Sequence, residues 1–247
     1  MDQREALASS WSKNAENWTR AVREGLIPSR GAGTDDAIVE AICCRKPQSF
    51  LDVGCGEGWL VRRIVKRTGC HALGIDGSAQ LIADARQADP DGRYQVVDYR
   101  ELVERRAGFD ESFDVIAFNY ALFDEEASRL LEAIRPYLSA GGRIVIQTLH
   151  PWALSREGHY LDAWRREDFS AFKNQDWTSM PWYFRTLASW HDVIRNAGLM
   201  MAELREPAAK PGGLPLSLLL ICAAFEQLEE KRSEISDCRE DPADGNQ

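Results

Sequence analysis

No stretch of this 247-residue sequence stays apolar for long enough to cross a bilayer. The longest, Leu216 to Phe225, is interrupted by Ser217 and has about half the length a span needs, so no membrane partner is expected. The start, Met1-Asp2-Gln3-Arg4-Glu5, lacks the basic flank and apolar segment of a signal peptide, and a cytoplasmic protein is the expectation. Cysteines are few, and Cys43, Cys44, Cys55, Cys70, Cys222 and Cys238 form no C-x-x-C pair. Neither a zinc site nor a disulfide framework is therefore predicted, and the four histidines show no metal spacing. Positive charge is short as well. The formal charge is -9, and residues 226–247, with eight acids against three bases, hold -5 of it. No basic face remains to neutralise phosphates, which makes nucleic acid a poor substrate. The segment 226–247 itself reads as an acidic, disordered tail.

The length and a hydrophobic content of 44% suit one core. We expect a single domain over residues 1–225, with leading helices at about 10–45 and a lid insertion at about 153–185. The chain is organised around Phe50-Leu51-Asp52-Val53-Gly54-Cys55-Gly56-Glu57-Gly58-Trp59-Leu60. An apolar run turns through three alternate glycines and enters a helical pattern of Leu60, Val61, Ile64 and Val65. That order predicts a strand, a tight turn and a helix start. Glycine permits positive φ and lets a ligand rest on the backbone of such a turn.

A dinucleotide fingerprint reads G-x-G-x-x-G, whereas Asp52, Gly54, Gly56 and Gly58 give D-x-G-x-G-x-G. This resembles the first motif of the class I S-adenosylmethionine-dependent methyltransferases, and the match over residues 30 to 225 is most similar to their small-molecule branch, which includes quinone-pathway enzymes. The resemblance implies that Asp52, Gly54, Cys55, Gly56 and Gly58 lie at the amino-acid end of the cofactor. It also makes Arg30 a candidate partner for the cofactor carboxylate; an ordinary exposed loop cation is the other reading.

His71 to Asp76 reads as the second strand, after which Gly77 and Ser78 open a helix. A carboxylate at that strand end can accept both ribose hydroxyls, and Ser78 already supplies the helix cap, so Asp76 is the ribose candidate. Tyr94 to Asp98 forms a third strand ending in an acid, and the resemblance implies that Asp98 and Tyr99 meet the adenine. Phe113 to Tyr120 reads as a buried central strand. Asn119 and Tyr120 then occupy the family's fourth motif, beside the methyl group and the substrate, although they depart from the aspartate or proline-rich forms of many aminomethylating relatives.

Ser10 to Glu24 predicts one helix with Trp11, Ala15, Trp18 and Val22 on its apolar face, the tryptophans serving packing. Thr34 or Asp35 caps a second, carrying Ile38, Val39 and Ile42. Glu125 to Leu138 is a helix, Ser139 to Gly142 a turn and Arg143 to Leu149 strand five. His150 follows at the sheet rim, either as the base that removes a proton or as a hydrogen bond to a lid loop. Residues 153–185 fit neither strand alternation nor one helix, yet are rich in aromatics, and they read as a substrate lid with Trp182, Tyr183 and Arg185 facing the substrate. Leu199 to Arg205 and Leu216 to Ala224 are joined too briefly for anything but an antiparallel pair. The predicted fold is α/β: a three-layer, doubly wound, seven-stranded, mostly parallel sheet with an antiparallel last strand. The predicted function is methyl transfer from S-adenosylmethionine to a small aromatic or apolar metabolite. A non-catalytic protein that binds this cofactor and an NAD-dependent oxidoreductase are the alternatives.

Overall fold

The computed structural model describes residues 2–106, 108–155, 159–172 and 176–225; the expected tail, 226–247, lies outside the described residues. The strands are β1 (Ser49–Val53), β2 (His71–Asp76), β3 (Tyr94–Val96), β4 (Phe113–Asn119), β5 (Leu138–Leu149), β6 (Ala163–Glu167), β7 (Met180–Phe184), β8 (Leu199–Arg205) and β9 (Ser217–Ala224). Seven of them form one sheet in the order β3-β2-β1-β4-β5-β9-β8, while β6 and β7 pair as a separate antiparallel hairpin. Neighbours from β3 to β5 run parallel, and β9 is antiparallel to both β5 and β8. The predicted sheet, with its one reversed strand, is the observed one.

Alternation along the strands sends side chains to two cores. Leu51, Val53, Ile116 and Phe118 pack with α6 (Tyr99–Val103), α7 (Ala127–Ile134) and α8 (Leu187–Asn196). Phe50, Val115, Ala117 and Val145 face α3 (Asp35–Cys43), α4 (Trp59–Thr68) and α5 (Ala79–Ala88) on the other side. Three layers result. Ile38, Ile42, Phe50 and Leu60 are all but fully enclosed, and each such side chain contributes about 2 kcal/mol of apolar burial. The strand order reverses between β1 and β4, which opens a crevice at the carboxyl ends of these parallel strands.

Local elements differ from expectation in several places. The single helix expected over Ser10 to Glu24 is two, α1 (Gln3–Lys13) and α2 (Ala15–Arg23), so among the described residues three α-helices rather than two precede β1. Asn14 breaks the helix because its side chain bonds a distant main chain: Nδ2 donates to Thr178 O and Oδ1 accepts from Thr178 N, both at 2.8 Å. The helix expected to run to Leu138 ends at Ile134 in a 3-10 turn over Arg135–Tyr137, where Pro136 lacks the amide to continue it. Ser139 to Gly142 is the irregular start of β5 rather than a separate turn, with a register shift opposite Phe113 and Val115. The segment 153–185 contains the β6–β7 hairpin. Its Phe169, Met180, Trp182 and Phe184 form a third cluster with Leu7 and Phe123, against which Trp11, Trp18 and Trp177 pack.

Candidate functional site

β1 runs into the turn 54–58 and then α4, and Gly54, Gly56 and Gly58 all take positive φ, at 76°, 57° and 81°. They do so for different reasons. A Cβ on Gly54 would lie 2.6 Å from the Tyr99 hydroxyl and 2.7 Å from the Ala121 methyl, and one on Gly58 would lie 2.7 Å from the Tyr94 ring. A Cβ on Gly56 would meet nothing within 4 Å. Two of the glycines thus make room for the protein's own side chains, and Gly56 is the one that faces open space. Its amide is already committed: it donates to Asp76 Oδ2 at 3.0 Å, while Ser78 N donates to Oδ1 at 2.8 Å. These bonds set the Asp76 carboxylate across the turn and leave each oxygen a second lone pair.

Asp52 is almost completely buried, and its Oδ1 has no hydrogen-bond partner. Burial, with the Asp76 carboxylate nearby, pushes it up to about 8. Burial also raises Asp76, against the pull of its two amide donors, and raises the Cys55 thiol well above its usual range, so Cys55 is no thiolate. An orphaned carboxylate beside a second acid calls for a cation. Glu57, the other acid of the turn, is satisfied: Arg62 Nη2 reaches both its oxygens at 2.8 and 2.9 Å, and Arg23 Nε of α2 reaches one at 3.0 Å. Its sequence signal was an acid within the glycine turn, without anything to indicate its partners.

A cavity of about 760 Å³ opens above the turn, within the range of roughly 300–1,000 Å³ usual for ligand sites. Gly54, Cys55, Gly56, Asp76, Gly77, Asp98, Tyr99, Asn119, Tyr120, Arg30 and Trp182 all line it. Asp98 lies two residues beyond β3 and caps α6, its Oδ1 accepting from Arg100 N at 2.7 Å and Glu101 reaching back to its amide at 3.0 Å. The Tyr99 hydroxyl donates to Ala121 O at 3.4 Å. Asn119 Oδ1 accepts from Gln147 Nε2 at 3.0 Å, and Gln147 also donates to Thr34 O at 3.0 Å. Tyr120 has a φ of 54°, and its enclosed hydroxyl, near Thr34 and Ser217, makes no hydrogen bond of normal geometry. Arg30 is not a free loop cation: Nε and Nη2 bind Asp35 at 3.0 Å, and its guanidinium lies 4.2 Å over Trp59.

Other expected residues lie outside the lining. Asp52 and Gly58 sit behind it, at the turn. His150 is outside the cavity lining, and both its nitrogens are occupied: Nδ1 accepts from Trp152 N at 3.2 Å, which leaves Nε2 to donate to Glu206 at 2.8 Å. These bonds tie the chain after β5 to the β8–β9 connection. Tyr183 and Arg185 also lie outside the lining: strand alternation on β7 turns Trp182 toward the cavity and Tyr183 away, against Trp164. Arg185 is buried outside the lining, where it donates to Asp124 O and lies 5.2 Å from the Trp190 ring; desolvation pulls it down to about 10. The sequence reading missed Leu7, Trp11 and Trp18 as cavity walls. Their apolar spacing was visible, but packing and lining look alike in a helical stripe.

Residues 50–142 match a family model described as "Methyltransferase domain". A probable tRNA (uracil-O(2)-)-methyltransferase of Caenorhabditis briggsae is 28% identical over 43% of this chain and 19% of its own length. A malonyl-[acyl-carrier protein] O-methyltransferase of Enterobacter lignolyticus is 27% identical over 70% of this chain and 63% of its own. The chain thus spans less than two thirds of either relative. Among solved structures, magnesium protoporphyrin IX methyltransferase from Synechocystis PCC 6803, with bound SAM, superposes with a TM-score of 0.63 at 14% identity, covering 91% of this chain and 98% of that one. That likeness is one of fold, and it identifies the sheet described above as the class I methyltransferase fold.

Proposed function

We propose, from the similarity of residues 50–142 to the methyltransferase-domain model, that the protein transfers a methyl group from S-adenosylmethionine to a small aromatic or apolar molecule. The observation that carries this reading is the cavity's two-part lining, which joins a polar turn, backed from behind by an unpartnered Asp52 oxygen, to an aromatic enclosure. When bound, the cofactor supplies an electrophilic methyl group on a sulfonium. Asp76 has spare lone pairs for the ribose hydroxyls, and Asp52, behind the turn, would offer negative charge to the cationic end only on releasing its proton. Asp98 keeps one oxygen for the adenine amino group, and Leu122, Ala127 and Leu130 supply apolar lining to the same cavity. Arg30, clamped by Asp35, presents a fixed cation to the carboxylate.

The acceptor would lie under a lid made by α1, α2 and the β6–β7 hairpin, whose rings exclude water and hold it in line for attack. Calorimetric titration with S-adenosylhomocysteine, S-adenosylmethionine and NAD tests the cofactor. Micromolar binding of the first two and none of the third is expected; the reverse preference would return the chain to the oxidoreductase reading. Release of S-adenosylhomocysteine on incubation with a pool of small metabolites then distinguishes an enzyme from a protein that only binds the cofactor.

A further inference from the structure

The end of β4 carries an amide whose direction is fixed by its neighbours, and that direction assigns it a partner on the cofactor, granted the methyl-transfer reading above. Gln147 of β5 stands opposite Asn119 in the parallel register and is only 1% exposed. Its Nε2 donates to Thr34 O and to Asn119 Oδ1, both at 3.0 Å, while its Oε1 accepts from Ser217 Oγ at 3.4 Å. A main-chain carbonyl can only accept, so Thr34 O fixes which end of the Gln147 amide points toward it. The second hydrogen on the same nitrogen then needs an acceptor of its own, and this turns the Asn119 oxygen toward Gln147. Asn119 Nδ2 is left on the other side. It has two hydrogens, no partner among the described residues and no enclosing protein, on a side chain that lines the cavity.

The main chain of the glycine turn offers little competition as a donor. Gly54 N and Cys55 N both donate to Ile75 O, at 2.8 and 2.9 Å, Gly56 N donates to Asp76 at 3.0 Å, and Gly58 N donates to Cys55 O at 3.0 Å. An anionic group lodged beside the turn must therefore be met by side chains. Arg30 is one, held in place by Asp35 at 3.0 Å and by Trp59 at 4.2 Å. The other lining arginines serve elsewhere: Arg4 is bound by Asp124, Glu125 and Glu126, Arg129 by Glu126, and Arg100 sits on α6, after Asp98 at the adenine end. The Gln147 main chain also fixes the exit from β4, because its carbonyl accepts from Tyr120 N at 2.8 Å. An Asn119 turned the other way would present an oxygen and repel an anion.

We infer that Asn119 Nδ2 joins Arg30 as a donor to the carboxylate of the cofactor, and that Gln147 is the positioning residue that aims it. Calorimetry on the full chain compares S-adenosylhomocysteine with its decarboxylated analogue, which keeps the adenosine, the thioether and the amine. Wild type is expected to prefer the carboxylate form by about tenfold or more, and Asn119→Ala to lower that preference about fivefold, since it removes a hydrogen bond to a charged group. Gln147→Met should lower the preference about threefold in the wild-type chain and hardly at all in Asn119→Ala, because a residue that acts through another adds little once the other is gone. Additive losses, or an Asn119→Ala chain that keeps the full preference, would overturn the inference. Where Gln147→Met does not fold, Asn119→Asp decides: with Gln147 holding one oxygen, the other faces the cavity, so S-adenosylhomocysteine should weaken more than in Asn119→Ala while the analogue does not weaken. Equal weakening of both compounds would overturn the assignment. Binding of neither compound to wild type would remove the methyl-transfer reading and this inference with it, whereas binding of both with equal strength removes this inference alone.

Discussion

Asp52→Asn tests the turn most directly, because the wild-type side chain is a buried acid waiting for a cation. Its carboxyl stands at about 8 in the folded chain, against roughly 3.9 when unfolded. A raised acid stabilises the fold fully below the unfolded value, and that contribution is lost as pH rises toward the folded value. Four units at about 1.4 kcal/mol each put the loss between pH 4 and pH 8 at about 5 kcal/mol. Asparagine does not titrate, so the variant should gain stability over wild type as pH rises through this window, read as a widening gap in Tm. At pH 7 about nine tenths of Asp52 is protonated. A ligand whose ammonium group needs the carboxylate should therefore release close to one proton on binding. Calorimetry with S-adenosylhomocysteine in Tris and in phosphate measures this number, and affinity should rise about tenfold from pH 6 to pH 7. Asp52→Asn should abolish both the proton release and the pH slope. Buffer-independent heats in wild type, or a slope that survives in the variant, would refute the assignment.

Asp76→Ala removes the acceptor that spans the turn and should weaken S-adenosylhomocysteine more than tenfold; an unchanged Kd would remove the ribose role. Gly54→Ala forces a methyl against Tyr99 and Ala121 and should cost about 2 kcal/mol or more of stability, whereas Gly56→Ala, strained only by its positive φ, should cost about 1 kcal/mol. Melting curves that rank the two in the opposite order would contradict the packing described for the turn. His150→Ala should lower Tm by releasing Glu206 and the Trp152 amide, yet leave turnover within about twofold once an acceptor is known; a loss of about a hundredfold or more, the scale of general-base catalysis, would restore the base. Asn14→Ala strands the Thr178 amide and carbonyl and should cost about 2 kcal/mol, with hydrogen exchange rising in residues 3–23 ahead of the sheet.

The parallel sheet and its cofactor turn could be read directly from local pattern. Alternating glycines after Phe50 to Val53, acids near the ends of β2 and β3, and a connection too short for a crossover before β9 are all features of neighbouring residues, so spacing alone exposes them. Helix and strand boundaries failed where a distant partner intervened. Asn14 looks like any helix residue until Thr178, 164 positions away, takes both its hydrogen bonds.

The local chain therefore determined the succession of the seven sheet strands, the glycine turn and the three acids near it, because each depends on backbone preferences and periodicity within a few residues. Tertiary structure alone decided which side chains reach the cavity. His150, Tyr183 and Arg185 carry suitable chemistry, but their directions are set by Glu206, Trp164 and Asp124 on other elements. Trp11 and Trp18 become cavity walls only because α1 and α2 fold back over the carboxyl ends of the parallel strands, and the side-chain packing that holds them there joins residues far apart in the chain.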